Sequence, residues 1–106
     1  MRYPVIREGI YTLKAIDEHK YTQNVVIAQV GTSVTMSFYN SFIEKNIIIA
    51  GSWVLNEKQN GYILHVTNSY NNKKIVFSID KCTSNDYFTL KGTYESDDNY
   101  IFLIEK

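Results

Sequence analysis

Asn46-Ile47-Ile48-Ile49-Ala50-Gly51-Ser52-Trp53-Val54-Leu55, a polar turn ending in Asn60-Gly61, and Tyr62-Ile63-Leu64-His65-Val66 together decide how the chain is read. Two apolar runs around a turn that contains Asn-Gly specify an antiparallel hairpin, because both turn residues tolerate positive φ. Ile47, Ile49, Gly51, Trp53 and Leu55 share one parity and make a continuous apolar face. Across the turn Tyr62, Leu64 and Val66 face in, while His65 and Thr67 face out.

The same alternation extends outward in both directions. Gly9, Tyr11, Leu13 and Ala15 form a core face opposite Thr12 and Lys14. Residues 23–30 are a β-branched run whose inward face stays open, since Val25, Val26 and Ile27 are consecutive; Gly31-Thr32 ends it. Over residues 33–39, Val34, Met36 and Phe38 alternate with Ser33, Thr35 and Ser37, the pattern of a strand with one wet face. Residues 40–45 accommodate a short helical turn or a loop, with Phe42 and Ile43 tucked inward. Beyond the hairpin, Ile75, Phe77 and Ile79 alternate with Val76, Ser78 and Asp80. Phe88, Leu90, Gly92 and Tyr94 then alternate with Tyr87, Thr89, Lys91 and Thr93, and residues 100–104 are apolar on both faces. Polar turns rich in Asn, Asp and Ser separate these runs.

The 106 residues suffice for one core and one domain, 1–106. Hydrophobic content of 44% with 21% charge is that of a globular chain, and the 14% aromatic share, nine residues of it tyrosine, fits pleated, half-buried surfaces. The single proline, Pro4, precedes every strand candidate. The expected fold is all-β: about eight antiparallel strands in an up-and-down meander, closed or flattened into a β-barrel, with a β-sandwich as the alternative. Closure is favoured because an open meander leaves two unpaired edges.

A glycine–aromatic unit recurs at Gly9-Ile10-Tyr11, Gly51-Ser52-Trp53 and Gly92-Thr93-Tyr94. Glycine weakens a strand unless the backbone bends or is closely approached there, so the unit reads as a packing device with a ring beneath it. Gly51-Ser52-Trp53 resembles the Gly-x-Trp of calycin-type barrels, the lipocalin-like and fatty-acid-binding-like proteins, although in that family the motif lies in the first strand. The resemblance implies an apolar ligand inside the barrel, with Tyr11, Trp53, Leu64, Phe77 and Phe88 as the expected cavity.

Chemistry-bearing motifs are sparse. Zero formal net charge and dispersed Lys and Arg argue against nucleic acid. No run approaches the roughly 18 apolar residues of a membrane helix. The lone Cys82 excludes an internal disulfide framework, and the charged N-terminal residues lack a signal-length apolar run, so a cytoplasmic location is expected. His19, near Asp17 and Glu18, and His65 have no metal-ligand spacing around them, and no metal or cofactor is expected. Cys82 beside Lys81 has no identifiable base, no phosphate-cradling loop occurs, and the expectation is a protein that is not an enzyme. The densest charge of one sign is the turn with Glu95, Asp97 and Asp98, which together with Asp86 and Tyr87 makes a candidate partner-binding rim. On that basis the first functional expectation is a protein-binding inhibitor. Its concrete case is an immunity protein that covers the active site of a basic toxin or nuclease. The alternative is a carrier of a small apolar molecule.

Overall fold

The computed structural model describes residues 3–16, 22–58, 61–84, 87–97 and 99–106, without the side chains of 16, 80–84, 87 and 88. Eight strands follow one another: β1 (Gly9–Ile16), β2 (Thr22–Val30), β3 (Ser33–Asn40), β4 (Lys45–Asn56), β5 (Gly61–Asn68), β6 (Lys74–Ser84), β7 (Tyr87–Tyr94) and β8 (Ile101–Glu105). Each pairs antiparallel with its neighbours in sequence, and β1 pairs with β8 from Thr12↔Glu105 to Ile16↔Ile101, so the meander closes into a barrel. Closure satisfies the edges that a sandwich would leave open.

Inward parity holds along most of the chain. Tyr11, Leu13, Ala15, Val34, Met36, Ile47, Ile49, Trp53, Leu64, Val66, Ile75, Phe77, Leu90 and Ile104 are buried. The ambiguous β2 run resolves with Val25 and Ile27 inside and Val26 exposed. Three apolar residues expected inside are outside. Leu55 has inward parity but sits near the end of the twelve-residue β4, opposite Tyr62, beyond the packed interior. Ile79 is the last regular pair before a register shift between Ile79 and Lys81, and a bulge re-aims side chains. Phe42 is 88% exposed, because residues 41–44 form a turn in which the Asn40 side chain accepts the Phe42 N–H and throws the ring outward. Its neighbour Ile43 does pack against the core.

The turns use local side-chain chemistry. Gly31, at φ +61°, opens the two-residue turn between Val30 and Ser33. The β4–β5 connection is longer than an Asn-Gly turn: Gly61 is already in β5, paired with Asn56, and Asn60 lies outside the described residues. Asn40, Asn56, Asn68, Asn71 and Asp97 each accept, through Oδ1, the N–H two residues on, at 2.9–3.1 Å. These are Asx turns, the reason asparagine is frequent where strands end.

Two of the three repeated glycines stand at close approaches. A Cβ on Gly51 would lie 1.7 Å from the His65 carbonyl oxygen, and one on Gly92 would lie 2.3 Å from the Phe77 ring. At Gly9 the nearest group is the mobile end of Lys106, 3.6 Å away, so that position needs no glycine.

Candidate functional site

In an up-and-down barrel alternate turns share an end. The turns after β3, β5 and β7 therefore gather at one end, while the N-terminal segment and the turn after β2 lie at the other.

Among the described residues the second end is packed. Ile6 is buried, and Gln29 ties the segment that carries it to the barrel. Gln29 Oε1 accepts the Ile6 N–H (2.9 Å) and the Trp53 indole N–H (3.3 Å), and its Nε2 donates to the carbonyls of Pro4 and Gly31 (both 2.9 Å). Tyr11 donates its hydroxyl to the Arg7 carbonyl at 2.7 Å. Leu64, Val34 and Leu90 are fully buried, and Ile6, Tyr11 and Trp53 join them in one core cluster.

Toward the first end the interior is not filled. A cavity of about 350 Å³ opens between the strands, walled in its depth by Leu13, Ala15, Val25, Met36, Ile47, Ile49, Ile75, Phe77 and Ile104. Ala15 contributes little volume there, and the surrounding aliphatic side chains leave the axis empty. Nearer the mouth stand Phe38, Tyr94, Tyr100 and Phe102, with Tyr70, Asn40, Asn68 and Asn71 at the rim. Tyr94 packs edge-on against Phe102, centroids 5.0 Å apart, and against Tyr100 at 5.6 Å. Burial, and secondarily the neighbouring Tyr100, raise the Tyr94 phenol above the ordinary tyrosine value. Two cations flank the mouth: Lys73 Nζ lies 5.0 Å from the centre of the Tyr94 ring, and Lys45 Nζ lies 6.0 Å from that of Tyr70.

Of the five residues expected to line a cavity, Phe77 does so. Tyr11, Trp53 and Leu64 point inward at the packed end and serve as packing there. The Phe88 side chain lies outside the described residues. Parity tells inside from outside but not one end of a barrel from the other.

The expected partner-binding rim divides in the same way. Tyr87 opens β7 and the Glu95 turn follows its end, eight residues or about 26 Å apart along the strand. Glu95 is exposed in a surface depression shared with Lys73 and Lys74, so its charge has cations beside it. Asp97 is half-buried and holds the Asn99 N–H; Asp86, Asp98 and the Tyr87 side chain lie outside the described residues.

His65 is exposed on the outer face, while His19 and the Cys82 side chain lie outside the described residues. Among the described residues no three His, Cys, Asp or Glu side chains gather as a metal site, and no helix is long and apolar enough to cross a membrane.

Sequence reasoning missed Gln29 and the asparagines of the mouth. The asparagines were findable: once eight meander strands are counted, turn parity alone puts those of the third and fifth turns at one end.

No protein-family model, no curated protein and no solved structure matches this chain.

Proposed function

We propose that this protein binds a small apolar molecule inside its barrel, without chemistry on it. The cavity of about 350 Å³ carries the reading. Cavities of this size are typical of small-molecule sites, and one of roughly 150 Å³ already accepts benzene. Its depth is wholly apolar, its rim is polar, and Gln29 ties the N-terminal segment to the packed opposite end. A two-ring hydrocarbon burying roughly 200 Å² would gain roughly 5 kcal/mol from leaving water. The expected Kd for such a probe is on the order of 0.1–1 mM.

The reading as a toxin-neutralising inhibitor has less behind it. It draws on one acidic face, and Lys73 and Lys74 stand beside Glu95 while Tyr87 opens the far end of β7.

Titration of the ¹⁵N-labelled protein with naphthalene tests the cavity. Amide shifts are expected at Ala15, Met36, Phe38 and Ile104, and not on the outward-facing positions Val26 and Ile48. Ala15→Phe projects a ring into the space and should abolish binding while leaving the spectrum of a folded barrel. Shifts confined to the outer face, or undiminished binding to A15F, would overturn the proposal.

A further inference from the structure

The rim chemistry restricts what an apolar ligand carries at its exposed end. Asn40, Asn68 and Asn71 all line the cavity mouth, and all three have committed the same atom. Their Oδ1 oxygens accept the N–H groups of Phe42, Tyr70 and Lys73, at 2.9, 2.9 and 3.0 Å. An amide N–H can be bonded only by an acceptor, so the assignment of Oδ1 and Nδ2 is fixed at each residue. What remains of each carboxamide is its NH₂ group, two donors with no protein partner among the described residues. Three Asx turns, in the β3–β4 and β5–β6 connections, thus leave unspent donors at one opening.

Charge does not counter this. Lys45 and Lys73 stand beside the mouth on the Tyr70 and Tyr94 rings, and Lys74 is next along. Glu44, Glu95 and Asp97 occupy the same turns; Asp97 Oδ1 is taken by the Asn99 N–H, and Glu95 shares a surface depression with Lys73 and Lys74. Among the described residues of these turns the charges roughly balance, and the surplus left over is of hydrogen-bond donors.

The geometry points to a ligand with an apolar body and a hydrogen-bond-acceptor head, a carboxylate or a carbonyl, bound body-first with the head held by the Nδ2 groups of Asn40, Asn68 and Asn71. An ammonium head, which can only donate, is rejected there. This inference rests on the cavity being a binding site.

Four probes with one body separate the two claims: naphthalene, 2-naphthoate, methyl 2-naphthyl ketone and 2-naphthylmethylammonium. The ketone and the carboxylate are expected to bind about tenfold more tightly than naphthalene, as for one to two net hydrogen bonds. The ammonium is expected to bind no more tightly than naphthalene. Asn68→Asp and Asn40→Asp keep the Oδ1 acceptor, and so the Asx turn, but replace the donor by an acceptor. Each should weaken the neutral ketone about threefold or more relative to naphthalene on the same variant, and strengthen the ammonium on the same scale. Naphthalene binding with no preference among heads, or a ketone preference that survives both substitutions, overturns the inference and leaves the cavity reading standing. Failure of all four probes to bind overturns both.

Discussion

At the scale of single residues, the three glycine–aromatic units are alike in sequence and unlike in what they tolerate. At Gly51 a methyl group meets backbone: the His65 carbonyl oxygen would be 1.7 Å away and the Val66 Cα 2.7 Å. Only separation of β4 from β5 relieves that, so Gly51→Ala should cost at least about 3 kcal/mol or prevent folding. At Gly92 the obstacle is the Phe77 ring at 2.3 Å. A ring adjacent to a cavity has somewhere to go, and Gly92→Ala should cost about 1–2 kcal/mol. At Gly9 nothing rigid is near, and Gly9→Ala should stabilise by about 0.4–1 kcal/mol through the unfolded chain. Urea unfolding midpoints of the three variants give the order; equal effects would show that the contacts do not govern it. The alternation of most strands, β2 and β8 excepted, was legible in the sequence, but this ranking was not, because a close approach depends on the partner strand's register.

At the scale of elements, the N-terminal segment illustrates what alternation cannot convey. Residues 3–8 are not a strand, yet Ile6 is buried and the segment belongs to the packed end. Tyr11, through the Arg7 carbonyl, and above all Gln29 make this attachment. Gln29 spends both lone-pair directions of its oxygen and both hydrogens of its nitrogen on Ile6, Trp53, Pro4 and Gly31. A glutamine in a β-branched strand looks like an outward polar residue, and nothing in its local pattern announces three partners distant in sequence, Pro4, Ile6 and Trp53. Gln29→Ala would leave the Trp53 indole N–H unpaired in a buried setting as well as release the segment. The expected loss is about 2–4 kcal/mol, with the Ile6 amide losing most of its protection against hydrogen exchange. A variant that unfolds at the wild-type midpoint with Ile6 still protected would mean that packing, not Gln29, holds the segment.

At the scale of the whole molecule, eight strands and short turns were legible because parity and turn chemistry are local. The division into a packed end and an empty end was not, since it depends on how side-chain volumes from all eight strands add around one axis. Tyr94 registers that asymmetry. It lines the cavity between Tyr100, Phe102 and Lys73, and burial raises its phenol above the ordinary value of 10.0, with Tyr100 adding to the effect. The sign follows from proton counting. Below the unfolded value the phenol is protonated in both states and contributes no pH dependence. As pH rises past about 10 the unfolded chain gives up this proton before the folded one does, so stability falls until the folded value is passed. The difference between wild type and Tyr94→Phe isolates this group. The wild-type urea midpoint should fall more steeply than that of Y94F between pH 9 and 11, and the two should run parallel between pH 7 and 9. Naphthalene affinity should respond only at higher pH, above the raised folded value, weakening in wild type as a phenolate forms in the cavity wall and weakening less in Y94F. Parallel stability curves throughout would show that Tyr94 keeps access to water, and with it that the cavity mouth is wetter than an apolar ligand site requires.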